Sequence, residues 1–276
     1  MDAAKRPNVF RIAPTDHGMS YRLAEYVIPK KLKVALITDD SSHGQEGAKA
    51  LDEAFSQNPE SVAVKLTVPA DSADLSPQVL RARRAGATGL LVWAQPTTIA
   101  GVLSAARSSG WKVPVFTSPT GEDPLVRQQL ANHPDWVDGL TFASGRPTAE
   151  VGAGPFLSFQ RDLENRFGVQ LVGVKTSDGA QVVQPPDYAM YSYDFVNVLA
   201  AAIQRASGVS DRNKVLAALN QVSVAGANGD QRGFNERNHE GVVDDDVYFA
   251  KFEDMIYKPV KDDPLSRTLV PIEQRR

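Results

Sequence analysis

Continuous apolar runs alternate with stretches of helical periodicity through the first half of the chain. A short apolar run bounded by turn residues predicts a strand covered on both faces, since such a strand has no reason to alternate. Between these runs, apolar residues recur three and four positions apart, which predicts crossover helices. This alternation predicts an α/β fold, a doubly wound parallel sheet with right-handed crossovers. The predicted strands cover residues 8–13, 33–38, 61–68, 88–93, 113–117 and 139–143.

The stretch 33–47, KVALITDDSSHGQEG, joins a predicted buried strand to a helix through a polar turn. Ligands of open α/β sheets collect outside the carboxyl ends of the strands, where the backbone N–H groups of the following helices point. Later strands of this half also end in polar residues. We therefore expect a binding site along this edge of the predicted sheet.

The second half of the chain is rich in predicted helices and poor in strands. Residues 145–155 are rich in Gly and Pro and predict a linker. Apolar stripes predict a helix that includes Phe156 and Phe167, a longer helix over residues 187–206, and a shorter one around Leu216. These helices have few predicted strands to pack on.

Three shorter segments complete the pattern. Residues 169–186 are polar and predict irregular structure. Residues 247–252 and 255–260 predict a hairpin that turns at Glu253-Asp254. Asp16 is expected to cap the first helix, because its carboxylate can accept from the free N–H groups there.

Composition narrows the classes of function. The chain has 276 residues, a formal net charge of -3 and no cysteine. The acidic balance disfavours a nucleic-acid partner, and the absence of cysteine excludes disulfides and thiol chemistry. No apolar run approaches the ~18 residues of a membrane span, so direct membrane insertion is not expected. Residues 1–7 lack the apolar region of an export signal.

Enzymatic interpretations find little support. Asp39 and Asp40 could form a magnesium-binding pair of the phosphoacceptor type, but that chemistry also needs an acidic residue and a Lys at later strand ends, where Gln95 and Ser118 stand. His43 could act as a general base, but no nucleophile lies in a suitable context. The sequence therefore predicts no catalytic residue, no metal site and no cofactor.

Small donors and acceptors cluster instead at three predicted strand ends. Such groups can hold a small polar molecule through hydrogen bonds. Their alternative role is to cap the helices that follow. The three ends together favour a ligand cleft. The candidate ligand-binding residues are Ser42, His43, Gln95, Thr97, Ser118, Thr120 and Glu122.

The order of the segments resembles the type I periplasmic-binding fold, and in particular the branched-chain amino-acid or amide binding proteins of ABC transporters. No single motif is diagnostic, and the resemblance depends on the order of segments from about residue 8 to 262. They are NVFRIAPTD (8–16), KVALITDDSSHGQEG (33–47), GLLVWAQPTT (89–98), AGVLSAARSSGWKVPVF (100–116), DGLTFAS (138–144), PPDYAMYSYDFVNVLAAAI (185–203) and GDQRGFNERNHEGVVDDDVYFAKF (229–252).

The resemblance implies two α/β lobes that enclose a ligand when they close about a hinge. It assigns residues 9–143 and 243–262 to a complete second lobe, and residues 146–242 to a remnant of the first. Residues 1–8 and 263–276 are then tails. Chains of this family begin with an export signal and further βα units of the first lobe. We therefore expect an N-terminally truncated form with an incomplete first lobe.

The resemblance also implies individual ligand contacts. His43 takes the place of an aromatic residue that precedes a Gly after a second-lobe strand, and Gln95 follows the next strand. In the family, an acidic residue contacts the ammonium group of the ligand. The corresponding position in this chain lies near Glu122, a few residues out of register, so Thr120 is the alternative contact. Tyr188 corresponds to an aromatic residue at the start of a first-lobe helix.

The function implied is that of the ligand-binding component of an ABC importer, with a small-molecule ligand, permease subunits as partners and no enzymatic activity. A branched-chain amino acid, an amide or a similar polar solute is the expected ligand. The full-length form is expected to be periplasmic, or extracellular and lipid-anchored. The alternative is an effector-sensing domain of a transcriptional regulator or receptor. Without the first-lobe sheet, the helix face of Tyr188, Tyr191, Phe195 and Leu199 is expected to be exposed and to promote association.

Overall fold

The structure of the chain is a computed structural model that describes residues 3–72, 74–145, 153–168, 173–175, 178–179, 181–183, 187–229, 231–242, 247–260 and 262–263. The elements up to the first long linker are α1 (Asp16–Val27), β1 (Val34–Asp39), α2 (Ser42–Ala54), β2 (Val62–Val68), α3 (Ser76–Arg84), β3 (Gly89–Trp93), α4 (Pro96–Ser108), β4 (Val115–Thr117), α5 (Pro124–Gln129) and β5 (Thr141–Ser144). Those that follow are α6 (Ala153–Phe167), β6 (Gly173–Lys175), β7 (Gln181–Val183), α7 (Asp187–Arg205), α8 (Arg212–Leu219), β8 (Ser223–Ala225), β9 (Gln231–Gly233), β10 (Tyr248–Glu253) and β11 (Ile256–Pro259).

One mixed, mainly parallel sheet organises the first half of the chain. Its seven strands lie in the order β11-β10-β5-β4-β3-β1-β2. The five strands β2, β1, β3, β4 and β5 run parallel to one another, whereas β10 is antiparallel to both β5 and β11. The α/β fold predicted from the sequence is confirmed, and the predicted hairpin forms one edge of this sheet.

Both faces of the sheet are covered, which explains the continuous apolar runs. Successive residues of a strand point to opposite faces. Leu90 and Val92 of β3 therefore pack with the core on the side of α3 and α4, while Leu91 and Trp93 pack with the core on the side of α1 and α2. All four side chains are fully buried. We call this unit, residues 15–145 and 247–260, the sheet lobe.

The described part of residues 153–242, which we call the helical region, has a smaller core. Val198 of α7 and Leu219 of α8 pack there against Phe234. Phe10 and Ile12, from the start of the chain, join the same cluster. The helical region therefore depends on a segment that precedes α1 by only a few residues.

Backbone hydrogen bonds hold this N-terminal segment in place. The Arg11 N–H donates to the His239 carbonyl over 2.9 Å, and the Gly241 N–H donates to the Arg11 carbonyl over 2.7 Å. The Arg11 guanidinium also pairs with the Glu240 carboxylate at 2.6 Å. Two chain segments that leave the helical region for the sheet lobe thus run side by side.

The helical region contains a buried ion pair. Arg232 Nε and Asp194 Oδ2 are 3.2 Å apart, and both side chains are almost completely buried. Asp194 also accepts from the Ala227 N–H over 2.6 Å. Arg232 Nη2 donates to the Asn228 side-chain oxygen over 3.3 Å. The pair connects α7 to β9 and to the turn before it.

Several local predictions need correction. The cap of α1 is Thr15, whose hydroxyl accepts from the Gly18 N–H over 2.8 Å, and Asp16 is the first helical residue. Residues 8–13 form no strand but a single bridge at Arg11. Within the segment predicted to be irregular, β6 and β7 form an antiparallel hairpin. Strands of three residues are too short to show an apolar alternation.

The expected exposure of the α7 face is also wrong for the described side chains. Tyr191 is buried, and Phe195 and Leu199 are half-buried against the core of the helical region. The exposed apolar side chains of α7 include Tyr193, at 39%, and Val196, at 63%. The N-terminal segment and the β8-β9 hairpin provide the cover that the sequence pattern did not reveal.

Candidate functional site

Three strands of the sheet lobe end side by side. Thr38 of β1 pairs with Trp93 of β3, and Val92 of β3 pairs with Thr117 of β4. The turns that follow these strands therefore lie at one edge of the sheet, as the sequence predicts. Helices α2 and α4 begin directly after two of these turns, so their N-terminal N–H groups point to the same edge.

A chain of polar side chains connects two of these turns. His43, in the first turn of α2, has its Nε2 3.4 Å from Ser118 Oγ, which follows β4. Ser118 Oγ is 2.6 Å from Thr120 Oγ1. Thr120 Oγ1 in turn donates to the Ala94 carbonyl over 2.8 Å. His43, Ser118 and Thr120, all predicted ligand contacts, are thus brought together.

Asp39 holds the strand ends in register. This carboxylate is fully buried and accepts from the Gln95 N–H over 2.6 Å. It also accepts from the Ser41 N–H over 3.2 Å, from the Ser41 hydroxyl, and from Thr98 Oγ1 over 3.4 Å. With these donors Asp39 ties the end of β1 to the start of α4. Its role is structural, which argues against the phosphoacceptor interpretation.

The electrostatics of the site favour a neutral imidazole. Burial lowers the pKa of His43 below the ordinary histidine value, although the carboxylates of Asp16 and Asp39 act in the opposite direction. Burial also raises the pKa of Asp16, which lies at the start of α1; the His43 and Arg11 charges oppose this rise. At neutral pH His43 is therefore an uncharged hydrogen-bonding group.

The other predicted contacts at these turns are more open to solvent. Ser42 is exposed at the first position of α2. Gln95 precedes α4 as its N-cap residue and is half-buried, while Thr97 is exposed. The rim of the site therefore consists of Ser42, Gln95 and Thr97, and its floor of His43 and Ser118.

Glu122 and Tyr188 occupy different positions. Glu122 is fully buried, and its Oε2 accepts from the Ser144 hydroxyl over 3.2 Å. A direct contact between Glu122 and a solute stays a prediction that requires this carboxylate to become exposed. Tyr188 lies near the start of α7. Its side chain lies outside the described part of the structure, so its predicted contact also stays a prediction.

The helical region approaches the same edge of the sheet through Tyr191. Gly145 follows β5, and the Tyr191 hydroxyl oxygen lies close against it. A side chain at this position would place its Cβ atom only 2.1 Å from that oxygen, so the close approach requires glycine. The Asn228 side chain donates to the Gly145 carbonyl over 2.9 Å. Sequence reasoning missed both contacts, since only the apolar stripe of α7 marked Tyr191. A polar wall on the sheet lobe thus lies at the edge that the helical region also reaches.

A second depression lies away from these strand ends. A groove of about 660 Å³ is lined by Tyr26, Thr141, Lys251 and Lys258, among others. Thr141 begins β5, so this groove lies at the amino end of that strand. Among the described residues, no cluster of three His, Asp or Glu side chains could hold a metal ion. In the same residues, we find no helix with the length and hydropathy needed to span a membrane.

Solved structures share this fold. A periplasmic binding protein type 1 from Bordetella pertussis Tohama I is 19% identical, with a TM-score of 0.77 over 92% of this chain and 68% of that chain. A leucine binding protein, LivK, from Thermotoga maritima MSB8 is 16% identical, with a TM-score of 0.71 over 91% of this chain and 67% of that one.

A third structure was solved with a small molecule bound. It is a solute binding protein of an ABC transporter from Rhodopseudomonas palustris BisB5, in complex with 3,4-dihydroxy benzoic acid. It is 16% identical, with a TM-score of 0.70 over 93% of this chain and 67% of that chain. At these identities the structural likeness shows the fold alone.

Sequence comparison identifies the family. A search of curated protein sequences finds no significant match. The family profile described as periplasmic binding protein matches residues 2–255, which is most of the chain. The predicted type I periplasmic-binding fold is confirmed, and the chain belongs to the periplasmic binding protein family.

Proposed function

We propose that this chain is the ligand-binding component of an ABC importer and captures a small polar solute without covalent chemistry. The observation that carries the proposal is the array of His43, Ser118 and Thr120 at the carboxyl edge of the sheet, where the helical region also approaches through Tyr191. Such an array offers several hydrogen-bond donors and acceptors to a small polar molecule, and the Ser118 hydroxyl lies within hydrogen-bond distance of Thr120.

The proposed ligand lies between the two units and meets the rim residues as the units close. Ser42, Gln95 and Thr97 would then add hydrogen bonds to those of the floor, with Tyr188 on the opposite side and Glu122 exposed only by rearrangement. A branched-chain amino acid, an amide or a similar solute fits this polar wall. Structurally similar proteins include a leucine binding protein and one solved with 3,4-dihydroxy benzoic acid.

The proposed partners are the permease subunits of an ABC transporter, which receive the solute after capture. The family is periplasmic or extracellular. We propose the same location for the full-length protein, including the lipid-anchored form. In our proposal the sheet lobe is the second lobe of the family fold, and residues 146–242 belong to the first.

Calorimetric titration of the full chain tests this proposal. The panel contains leucine, isoleucine, valine, leucinamide, benzamide and 3,4-dihydroxybenzoate. We expect at least one solute to bind with one site per chain and to be recovered chemically unchanged. His43→Ala should weaken that binding about tenfold, the value of one lost hydrogen bond.

His133→Ala is the matched control, because His133 is exposed and lies away from the strand ends. It should leave the affinity unchanged. Absence of binding to every panel member, or conversion of one of them to a product, would contradict the proposed function.

A further inference from the structure

Three hydrogen bonds connect His43, Ser118, Thr120 and the Ala94 carbonyl in series. The Ala94 carbonyl determines which atom donates in each of them. A carbonyl oxygen only accepts, so the Thr120 hydroxyl proton is committed to the Ala94 carbonyl. Thr120 Oγ1 can then only accept from Ser118, whose hydroxyl proton is committed in turn. The remaining contact, 3.4 Å from Ser118 Oγ to His43 Nε2, requires a proton on Nε2. The fixed carbonyl of Ala94 thus sets the tautomer of a histidine on another turn.

A neutral imidazole carries one proton and one free lone pair. With the proton on Nε2, the Nδ1 atom of His43 is an acceptor. Among the described residues, the hydrogen bond to Ser118 is the one that the His43 ring makes, and the ring also lies beside that of Trp93, with centroids 5.7 Å apart. The Nδ1 lone pair is therefore available to a bound molecule.

The surroundings of His43 do not favour a cationic molecule. The carboxylates of Asp39 and Glu122 are fully buried and already accept hydrogen bonds. Asp16, which faces His43 from α1, is half-buried; burial raises its pKa and so disfavours its charged form, although the Arg11 charge acts in the opposite direction. Helices α2 and α4, each of 13 residues, direct their positive N-terminal ends to this edge. A donor that carries no positive charge suits this environment better than an ammonium group.

We propose that the Ala94 carbonyl, acting through Thr120 and Ser118, fixes His43 in the Nε2–H tautomer, so that Nδ1 selects solutes with a neutral hydrogen-bond donor, a hydroxyl or an amide N–H. The selection of solutes rests on the proposed function, whereas the tautomer does not. Thr120 and Ser118 are positioning residues here, because they act through the imidazole of His43.

Nitrogen NMR of histidine-labelled protein reads the tautomer directly, because protonated and unprotonated ring nitrogens resonate far apart. The spectrum of His43→Gln identifies the His43 signals among the four histidines. We expect the full chain at neutral pH to show a protonated Nε2 and an unprotonated Nδ1. A protonated Nδ1 would overturn the inference, whatever the protein binds.

Two variants of Thr120 distinguish an effect of its hydroxyl on the His43 tautomer from a general loss of structure. Thr120→Val keeps the shape of the side chain but removes the hydroxyl, and should give a mixture of tautomers. Thr120→Ser restores the hydroxyl and should restore the wild-type spectrum. An unchanged tautomer in Thr120→Val would contradict the role of the hydroxyl chain. If that variant fails to fold, the wild-type spectrum still decides the tautomer.

Matched solute pairs test the selection. Benzamide and methyl benzoate form one pair, and 4-hydroxybenzoate and 4-methoxybenzoate another; in each pair the first member alone carries the neutral donor. We expect the donor-bearing member of any bound pair to bind about tenfold more tightly. Equal affinities within a bound pair would overturn the selection. Failure to bind any solute would contradict the proposed function, and the NMR result would still decide the inference.

Discussion

The sheet lobe and the helical region are stabilised in different ways. In the sheet lobe, β1 and β3 are buried along their whole length, and polar side chains concentrate at the strand ends. In the helical region, the core contains the buried Asp194–Arg232 pair and also needs Phe10 from the start of the chain. The continuous apolar strands of the sheet lobe can hold a polar site at their ends, whereas the smaller core of the helical region also needs a segment from the start of the chain.

The largest expected effect comes from breaking the buried ion pair. Asp194→Ala leaves Arg232 buried without its carboxylate, which should lower the free energy of unfolding by about 3–5 kcal/mol. Hydrogen exchange should show lost protection in α7 and in the β8-β9 hairpin, with the sheet strands still protected. Asp162→Ala, at an exposed position of α6, is the control and should change little. Equal loss of protection in β1 and β3 would contradict the separation of the two units.

Shortening a buried side chain in the core of the sheet lobe should destabilise that unit. Leu90→Ala removes a fully buried side chain between the sheet and its helices, and should cost about 2–5 kcal/mol in urea unfolding. Leu80→Ala, at a position 45% exposed, should cost less than about 0.5 kcal/mol. A similar cost for both variants would show that the sheet core is not the stabilising unit.

The pH dependence of solute binding tests the polar site of the sheet lobe while both units stay folded. Burial lowers the pKa of His43, while Asp16 and Asp39 oppose this shift. Nδ1 therefore remains an acceptor at neutral pH and becomes a donor only at a pH below the ordinary histidine value. Calorimetry should show constant affinity above neutral pH and an approximately tenfold loss in the acidic range.

The groups near His43 must be considered in that experiment. Glu46 and Arg11 also act on Asp16, which faces His43 from α1. The control is His133→Ala, which should reproduce the wild-type profile. An affinity that already falls above the ordinary histidine pKa would contradict a neutral, half-buried imidazole.

The smallest expected effect concerns the outer face of α7. Val196→Ser replaces a side chain that is 63% exposed, and should change the free energy of unfolding by less than about 0.5 kcal/mol. If this face drives association, the variant should shift the sedimentation profile towards monomer. A profile identical to that of the wild type would exclude Val196 from any such contact.

The sequence was sufficient to predict β1 and β3, because each is a short apolar run that ends in polar residues. It also predicted that the turns with His43 and Ser118 would lie at one edge of the sheet, since parallel strands end at the same edge. It did not predict the Thr15 cap, because Thr15 and Asp16 have equally suitable side chains. Neighbouring capping residues are distinguished only by the backbone geometry around them.

The features that the sequence did not predict depend on contacts between residues far apart in the chain. The anchoring role of Asp39 requires the Gln95 N–H, which lies on another strand end. The contact of Phe10 with Phe234, at 5.0 Å between ring centroids, has no local signal in either segment. Likewise, the proton position on His43 becomes defined only when three turns are placed together. Pattern reasoning therefore predicted which strand ends lie together but not the hydrogen-bond directions between their side chains.

Chemical-shift mapping of the bound full chain tests the central claim most directly. Leucine or 3,4-dihydroxybenzoate, whichever binds in the calorimetric panel, is added to saturation and the backbone amide shifts are followed. We predict that the largest changes occur at 42–44, 95–98 and 118–120, with little change at Lys251 and Lys258 in the groove at the opposite end of β5. Changes concentrated in that groove, with the strand ends unaffected, would contradict the account.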